Sequence, residues 1–340
     1  MASVHIVVPC YNYARFIKTC ATSVLSQRGV DVKLLIINDA STDESARVCD
    51  EIAAEDRRVK VIHHPKNQGH IATYNEGLAA ADADYVVLLS ADDLLTPGCL
   101  ARATAIMEEN PSVGFVYGNA IKFTDTLPPA KQDGLGRPII WTGREWLRLM
   151  CEGGRCFIHS PEVVMRTSIQ RQIGLYNPDL PQTGDMEMWM RAALHAGVAR
   201  LDGVDQAYYR LHPSSMQHTL HAGPLLDLYA KLKTYELVLG RASFLEAEEY
   251  LSRARKRLAN DSLWYVLNQV RMRRPMTGTI DEYCSFAERA FPGIVESKNW
   301  HRAQEYRTRR ASIAETLLWQ IRLALRRLTS WRHRELNKAA

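Results

Sequence analysis

Neither G-x-G-x-x-G after the first strand-like run nor G-x-x-x-x-G-K-[ST] anywhere occurs in the 340 residues, which removes the main support for a dinucleotide-binding or P-loop reading. Cysteine is sparse and unpatterned. Cys10, Cys20, Cys49, Cys99, Cys151, Cys156 and Cys284 are odd in number and nowhere spaced C-x-x-C, so neither a disulfide framework nor structural zinc is expected, and a reducing, cytoplasmic compartment is. No apolar run reaches the length of a membrane span, and Met1 to Val8 begins directly on a strand, so the expectation is a soluble or peripheral protein. A net positive charge is missing from most of the chain. The net charge of +5 resides in residues 301–340, which hold ten Lys and Arg against three acids, so no nucleic-acid partner is expected for the main body.

What is present reads as alternating strands and helices. Val4 to Val8, Lys33 to Ile37, Val59 to His63 and Val86 to Leu89 are short apolar runs separated by helical stretches, which predicts an α/β fold with a mostly parallel sheet covered on both faces. Pro9 is expected to stop the first strand, and Ser41 with Glu44 has capping-box spacing for the second helix. Asp125 to Pro138 reads as an exposed loop, and Glu162 to Met165 as a strand. From Leu225 onward the chain is helical and highly charged, giving a predicted division into residues 1–218 and a helical region, residues 219–340.

In such sheets ligands bind beyond the carboxyl ends of the strands. The residues just past each strand are therefore the candidate site: Tyr11 and Asn12, then Asp39, then Asn67, then Asp92 and Asp93. Adjacent carboxylates repel, and a rim that keeps two is explained by a divalent cation or a hydrogen-bonded polyol sharing the charge. Mg2+ or Mn2+ carrying a nucleoside diphosphate is the simplest such partner. The competing explanation is a solvated acidic turn before a helix starting near Thr96 and Pro97. Farther on, Gly184 to Arg191 (GDMEMWMR) opens a helix whose dipole favours Asp185 in its first turn with or without a function. His212 comes after the strand-like Ala207 to Leu211, as a metal ligand or as a loop hydrogen-bonder.

Taken in order, PCYNY, INDASTD, NQG followed by NEG, LSADD and GDMEMWMR resemble the family 2 glycosyltransferases of the GT-A fold, over about residues 3–218. The resemblance implies a nucleotide-sugar site. Pro9 and Tyr11 would lie against the nucleobase, Asp39 would accept from its imide N–H, and Asn67 would join the nucleotide contacts. Asp92 would meet the ribose or the metal, Asp93 and His212 would be metal ligands, and Asp185 would be the general base. The implied reaction moves a hexosyl or N-acetylhexosaminyl group from a nucleotide-diphosphate donor, UDP favoured, to the hydroxyl of a saccharide, lipid-linked or protein acceptor. It would proceed with inversion and with Mn2+ or Mg2+ as cofactor. At a helix N-terminus Asp185 is expected to stay ionised, with no raised pKa. Ser90 stands where the family usually has an acid, Tyr74 where many members have Arg, and Glu187 competes with Asp185 for the base role. A catalytically silent nucleotide-binding or scaffold protein of the same fold is the alternative.

In the tail, residues 307–334, Leu317, Leu318, Ile321, Leu325 and Leu328 recur at helical spacing while Arg322, Arg326 and Arg327 lie mostly off the stripe, with Trp319 and Trp331 alongside. Such a helix suits an anionic membrane surface, here the inner face of the membrane. Alternatively the stripe packs on the catalytic domain or on a second copy in a homodimer.

Overall fold

The computed structural model describes residues 1–132, 134–213 and 223–325. The first part of the chain runs β1 (Ser3–Cys10), α1 (Ala14–Leu25), β2 (Asp31–Asn38), α2 (Ser45–Glu55), β3 (Val59–His63), α3 (His70–Ala79), β4 (Tyr85–Leu88), β5 (Leu94–Leu95) and α4 (Cys99–Glu109). It continues through β6 (Val113–Tyr117), β7 (Ala120–Phe123), β8 (Arg137–Trp141), α5 (Gly143–Gly153), β9 (Val164–Arg166), α6 (Thr167–Ile173), α7 (Gly184–Ala193), β10 (Gly197–Asp202) and β11 (Ala207–Arg210). The main sheet has eight strands in the order β3-β2-β1-β4-β9-β6-β10-β8, and a small sheet is ordered β5-β11-β7. Pairing is parallel from β3 through β4 and again between β6 and β10, while β9 and β8 join antiparallel. This is the mostly parallel α/β sheet read from the sequence.

Three local expectations are corrected. β1 runs through Pro9 to Cys10, paired with Ile37 and Asn38 of β2. Pairing with β4 ends at Val7, so the donor that proline lacks would have faced a side with no strand left to receive it. Ser41 and Glu44 form no capping box, because Ser41 Oγ accepts from the Asn12 N–H at 3.0 Å; Asp43 starts α2 instead, accepting from the Ser45 N–H at 2.9 Å. The stretch read as a strand from Glu162 is a 3-10 turn, Ser160–Glu162, before β9 begins.

One hydrophobic core lies under α1, α2 and α4, filled by Ile6, Ile17, Leu34, Ile36 and Leu100. The other runs without a break from Phe115 and Trp146 through Trp189 into Tyr235, Leu258 and Phe286. The helices Pro224–Leu239, Ala247–Arg271 and Ile280–Ala290 therefore share the core of the sheet. The boundary expected at residue 218 lies outside the described residues, as do Arg326, Arg327, Leu328 and Trp331 of the expected tail helix.

Candidate active site

The rim past β1 and β2 is built by two residues in left-handed backbone, Asn12 at φ 58° and Ala40 at φ 54°, which turn the chain sharply after each strand. Asn12 Oδ1 accepts from the Thr42 N–H at 2.8 Å and ties the two loops together. Tyr11 is left 46% exposed, a flat ring open to stacking, beside a half-buried Pro9. Asp39, just past β2, is buried. Its Oδ1 accepts from His64 Nδ1 at 2.8 Å and from the Gln68 N–H at 2.7 Å, and Oδ2 accepts from the Gly69 N–H at 3.0 Å. Asn67 Nδ2 donates to the Asp39 carbonyl at 3.1 Å, so Asn67 shapes this loop.

His64 also faces Glu76 through Nε2 at 2.7 Å. A carboxylate on each ring nitrogen favours the doubly protonated ring, in which both nitrogens donate. Burial lowers the His64 pKa, but Asp39 and Glu76 outweigh it and the net shift is upward. Burial likewise pushes Asp39 up, and His64 with the two amides brings it below the usual carboxylate range. Asp39 is thus a fixed, ionised acceptor.

At the end of β4 the two acids diverge. Asp92 Oδ2 lies 2.8 Å from His212 Nε2, both side chains nearly buried. Asp93 turns the other way, its Oδ1 accepting from the Arg210 N–H at 2.8 Å. Burial and the neighbouring Asp92 push Asp93 well above the usual carboxylate range, against the pull of Arg210. The Arg210 guanidinium donates to the Asp92 carbonyl at 2.9 Å and stacks between Phe16 and Phe123, 4.4 Å from each ring centre. Asp93 thus tethers β11, the strand that delivers His212, to the rim. Among the described residues no three His, Cys, Asp or Glu side chains converge on one point. The residues present nevertheless fit a hard cation bound with phosphate. Such ions are held by one or two carboxylates plus phosphate oxygens, and the Asp92 carboxylate, hydrogen-bonded to His212 at 2.8 Å, is of that kind.

The third part comes from α7. Asp185 sits in its first turn, partly exposed, with Oδ1 accepting from the Tyr176 hydroxyl at 2.6 Å and Oδ2 from the Ser160 hydroxyl at 3.1 Å. Burial pushes its pKa up, and the two hydroxyls only partly reverse this. That corrects the expectation of an unshifted carboxylate, since desolvation exceeds the pull of the helix dipole. Glu187, its competitor, is buried and doubly bonded to Arg191, which also donates to the Leu175 carbonyl at 2.8 Å. Glu187 is a structural acid. Trp189 is buried in the core behind the same helix. Tyr74 and Tyr209 lie close to the acids past β4 and at the start of α7. Burial raises both hydroxyl pKa values, and each also lies within the field of Asp92, Asp93 and Asp185.

The sequence reading missed His64, Glu76, Ser160, Tyr176 and Arg210. His64 stood one residue beyond β3, where a search past strand ends could have found it; the others depend on long-range packing.

Residues 5–167 match the model of the family described as Glycosyl transferase family 2. An uncharacterized glycosyltransferase of Haemophilus influenzae is 25% identical over 217 residues, spanning 62% of this chain and 65% of that protein. Among solved structures, residues 1–349 of TarS from S. aureus, in complex with UDP-GlcNAc, superimpose with TM-score 0.61 at 17% identity, over 90% of this chain and 91% of that one. The mannosyltransferase PcManGT of Pyrobaculum calidifontis, with GDP-Man and Mn2+, gives TM-score 0.59 at 15% identity, over 95% and 79%.

Proposed function

We propose that residues 5–167, which match the family 2 glycosyltransferase model, form such a domain, and that the chain transfers a sugar from a nucleoside-diphosphate donor to an acceptor hydroxyl with inversion. The observation that supports the proposal is that the Asp92–His212 pair and Asp185 act on the same two tyrosines, Tyr74 and Tyr209, while the ionised acceptor Asp39 stands past β2 of the same sheet. Tyr11 stacks on the base and Asp39 accepts from its imide N–H, which favours uridine. TarS and PcManGT, which share the fold, carry UDP-GlcNAc and GDP-Man in their structures.

Asp92 and His212 would hold Mn2+ or Mg2+, which neutralises charge on the departing diphosphate when bound. Asp185 takes the proton of the acceptor hydroxyl. The acceptor oxygen then forms its bond to the anomeric carbon as the bond to the diphosphate oxygen breaks on the opposite face, so a single displacement inverts configuration. A base whose pKa burial raises above the ordinary carboxylate range matches that task better than an unshifted carboxylate. The Tyr176 and Ser160 hydroxyls fix its two oxygens.

Nucleoside diphosphate released from a panel of nucleotide sugars with Mn2+ tests the proposal. Asp185→Asn should retain donor binding while turnover falls about 100-fold or more. Normal turnover in that variant, with Glu187→Gln crippled instead, would reassign the base. Binding of donors without any release would favour the silent nucleotide-binding alternative.

A further inference from the structure

The helix over residues 313–325 is apolar on two opposite faces. A capping box starts it: the Glu315 N–H donates to Ser312 Oγ at 3.2 Å, and the Ser312 N–H donates to Glu315 Oε2 at 2.8 Å. Arg309 clamps the same carboxylate at 2.9 Å. One face carries Trp319, which is buried. Its indole N–H donates to Asn268 Oδ1 at 3.2 Å, and the Arg271 guanidinium lies 4.4 Å over its ring. Arg271 is itself buried and donates to the Tyr306 hydroxyl at 3.1 Å, so the anchor is part of the core built on the helix Ala247–Arg271.

At about 100° per residue, Ile313, Leu317 and Ile321 fall on the side away from Trp319, with Leu318 beside them. They are 69%, 53%, 57% and 68% exposed, respectively. Among the described residues, this part of the stripe is not packed on the catalytic domain. Arg322 flanks the stripe and is exposed, Arg307, Arg309 and Arg310 lie just before the helix, and residues 301–340 carry ten basic side chains against three acids. A second copy seated on this face through a two-fold axis would bring the same basic surroundings against themselves. An anionic surface would neutralise them. No helix of the described residues is long and apolar enough to cross a membrane, so the geometry is that of a helix lying on one.

We propose that residues 313–325 seat this protein on an anionic lipid surface, with Ile313, Leu317, Leu318 and Ile321 entering the interface. Trp319 bolts the helix to Ala247–Arg271, so the catalytic rim is held in a set orientation to the lipid. The proposal stands apart from the chemistry at the rim, and its failure would leave the glycosyltransferase reading untouched.

The full chain is sedimented with phosphatidylglycerol vesicles and with pure phosphatidylcholine vesicles. Binding to the first should be strong, weakened by added salt, and reduced at least about tenfold by the combined variant Leu317→Glu, Leu318→Glu, Ile321→Glu. Those side chains are exposed, so the melting temperature and donor binding of the variant should match the parent chain. Equal binding by both chains, or none by the parent, overturns the proposal. So does a dimer in sedimentation velocity that the variant converts to monomer while neither chain binds vesicles; that result assigns the face to a second copy.

Discussion

Replacing Tyr176 with phenylalanine deletes one hydroxyl and leaves the ring that packs edge-on against Tyr74, with centroids 5.5 Å apart. The lost group is the donor 2.6 Å from Asp185 Oδ1. Burial raises the Asp185 pKa, and the donors from Tyr176 and Ser160 pull it part of the way back, so removing one lets it rise further. A hydrogen bond to a charged group contributes about 1.5–3 kcal/mol, and the lower end applies because Asp185 is partly exposed. On the acid limb of the pH profile, where rate follows the ionised fraction of the base, that loss corresponds to about a tenfold fall in turnover. On the alkaline plateau Asp185 is ionised in both chains, and the rates should converge. Release of nucleoside diphosphate, followed from about pH 5 to about pH 9, reads the ratio directly. A loss of equal size at every pH would mean that Tyr176 acts only through packing, and an unchanged profile would mean that protonation of Asp185 does not limit the reaction. Ser160→Ala, which removes the longer bond of 3.1 Å, should move the limb in the same direction by less.

His212→Ala takes away one member of the 2.8 Å pair with Asp92 and should weaken Mn2+-dependent nucleotide binding at least about tenfold, with binding in EDTA unaffected, as calorimetry would show. Asp93→Ala leaves the Arg210 N–H without its acceptor and should cost about 1–3 kcal/mol in urea unfolding, while Asp93→Asn, which keeps an acceptor oxygen, should cost less. Glu162 is buried with Oε2 unpartnered among the described residues, and its pKa is pushed up to about 8 from an ordinary 4.5. The folded chain therefore keeps a proton that the unfolded chain releases, so stability falls as pH rises from about 4.5 to about 8 and levels off beyond; Glu162→Gln should flatten that fall in thermal melts. Gly143→Ala would place a Cβ 1.7 Å from the Ala193 carbonyl oxygen where α5 meets α7, and should destabilise the fold by about 3 kcal/mol in the same melts.

The strands that carry the rim were legible because a strand buried on both faces is a nearly continuous apolar run, as in IVV of β1 and LLII of β2. Topology alone fixes where the carboxyl end of such a strand delivers its next residues, which is why Tyr11, Asp39 and Asp92 could be named from the sequence. β5, β7 and β8 escaped for the opposite reason. Two residues of β5 carry no period, and the half-exposed RPIIW of β8 borders a Pro- and Gly-rich segment that reads as loop. The Thr142-x-x-Glu145 box that starts α5 was in plain view as a pattern, and the structure shows both of its bonds.

Asp185 shows where sequence reasoning stops at identity and does not reach protonation. The pattern GDMEMW places the residue in the first turn of a helix, and the only field visible there is the dipole, which favours the ionised form by roughly 0.3–1 kcal/mol. The opposing effect, loss of water around a carboxylate, can move a pKa by several times that amount. It arises here because Tyr176, Ser160 and Tyr74 close over the helix start, and those side chains come from three separate stretches of chain. The Tyr176 hydroxyl donates to Oδ1 and pulls the Asp185 pKa back against burial, while the Ser160 hydroxyl holds Oδ2. With Asp185 in the proposed role of base, rate falls when the Tyr176 hydroxyl or the carboxylate itself is removed. Tyr176→Phe loses it at acid pH alone, whereas Asp185→Asn loses it at every pH.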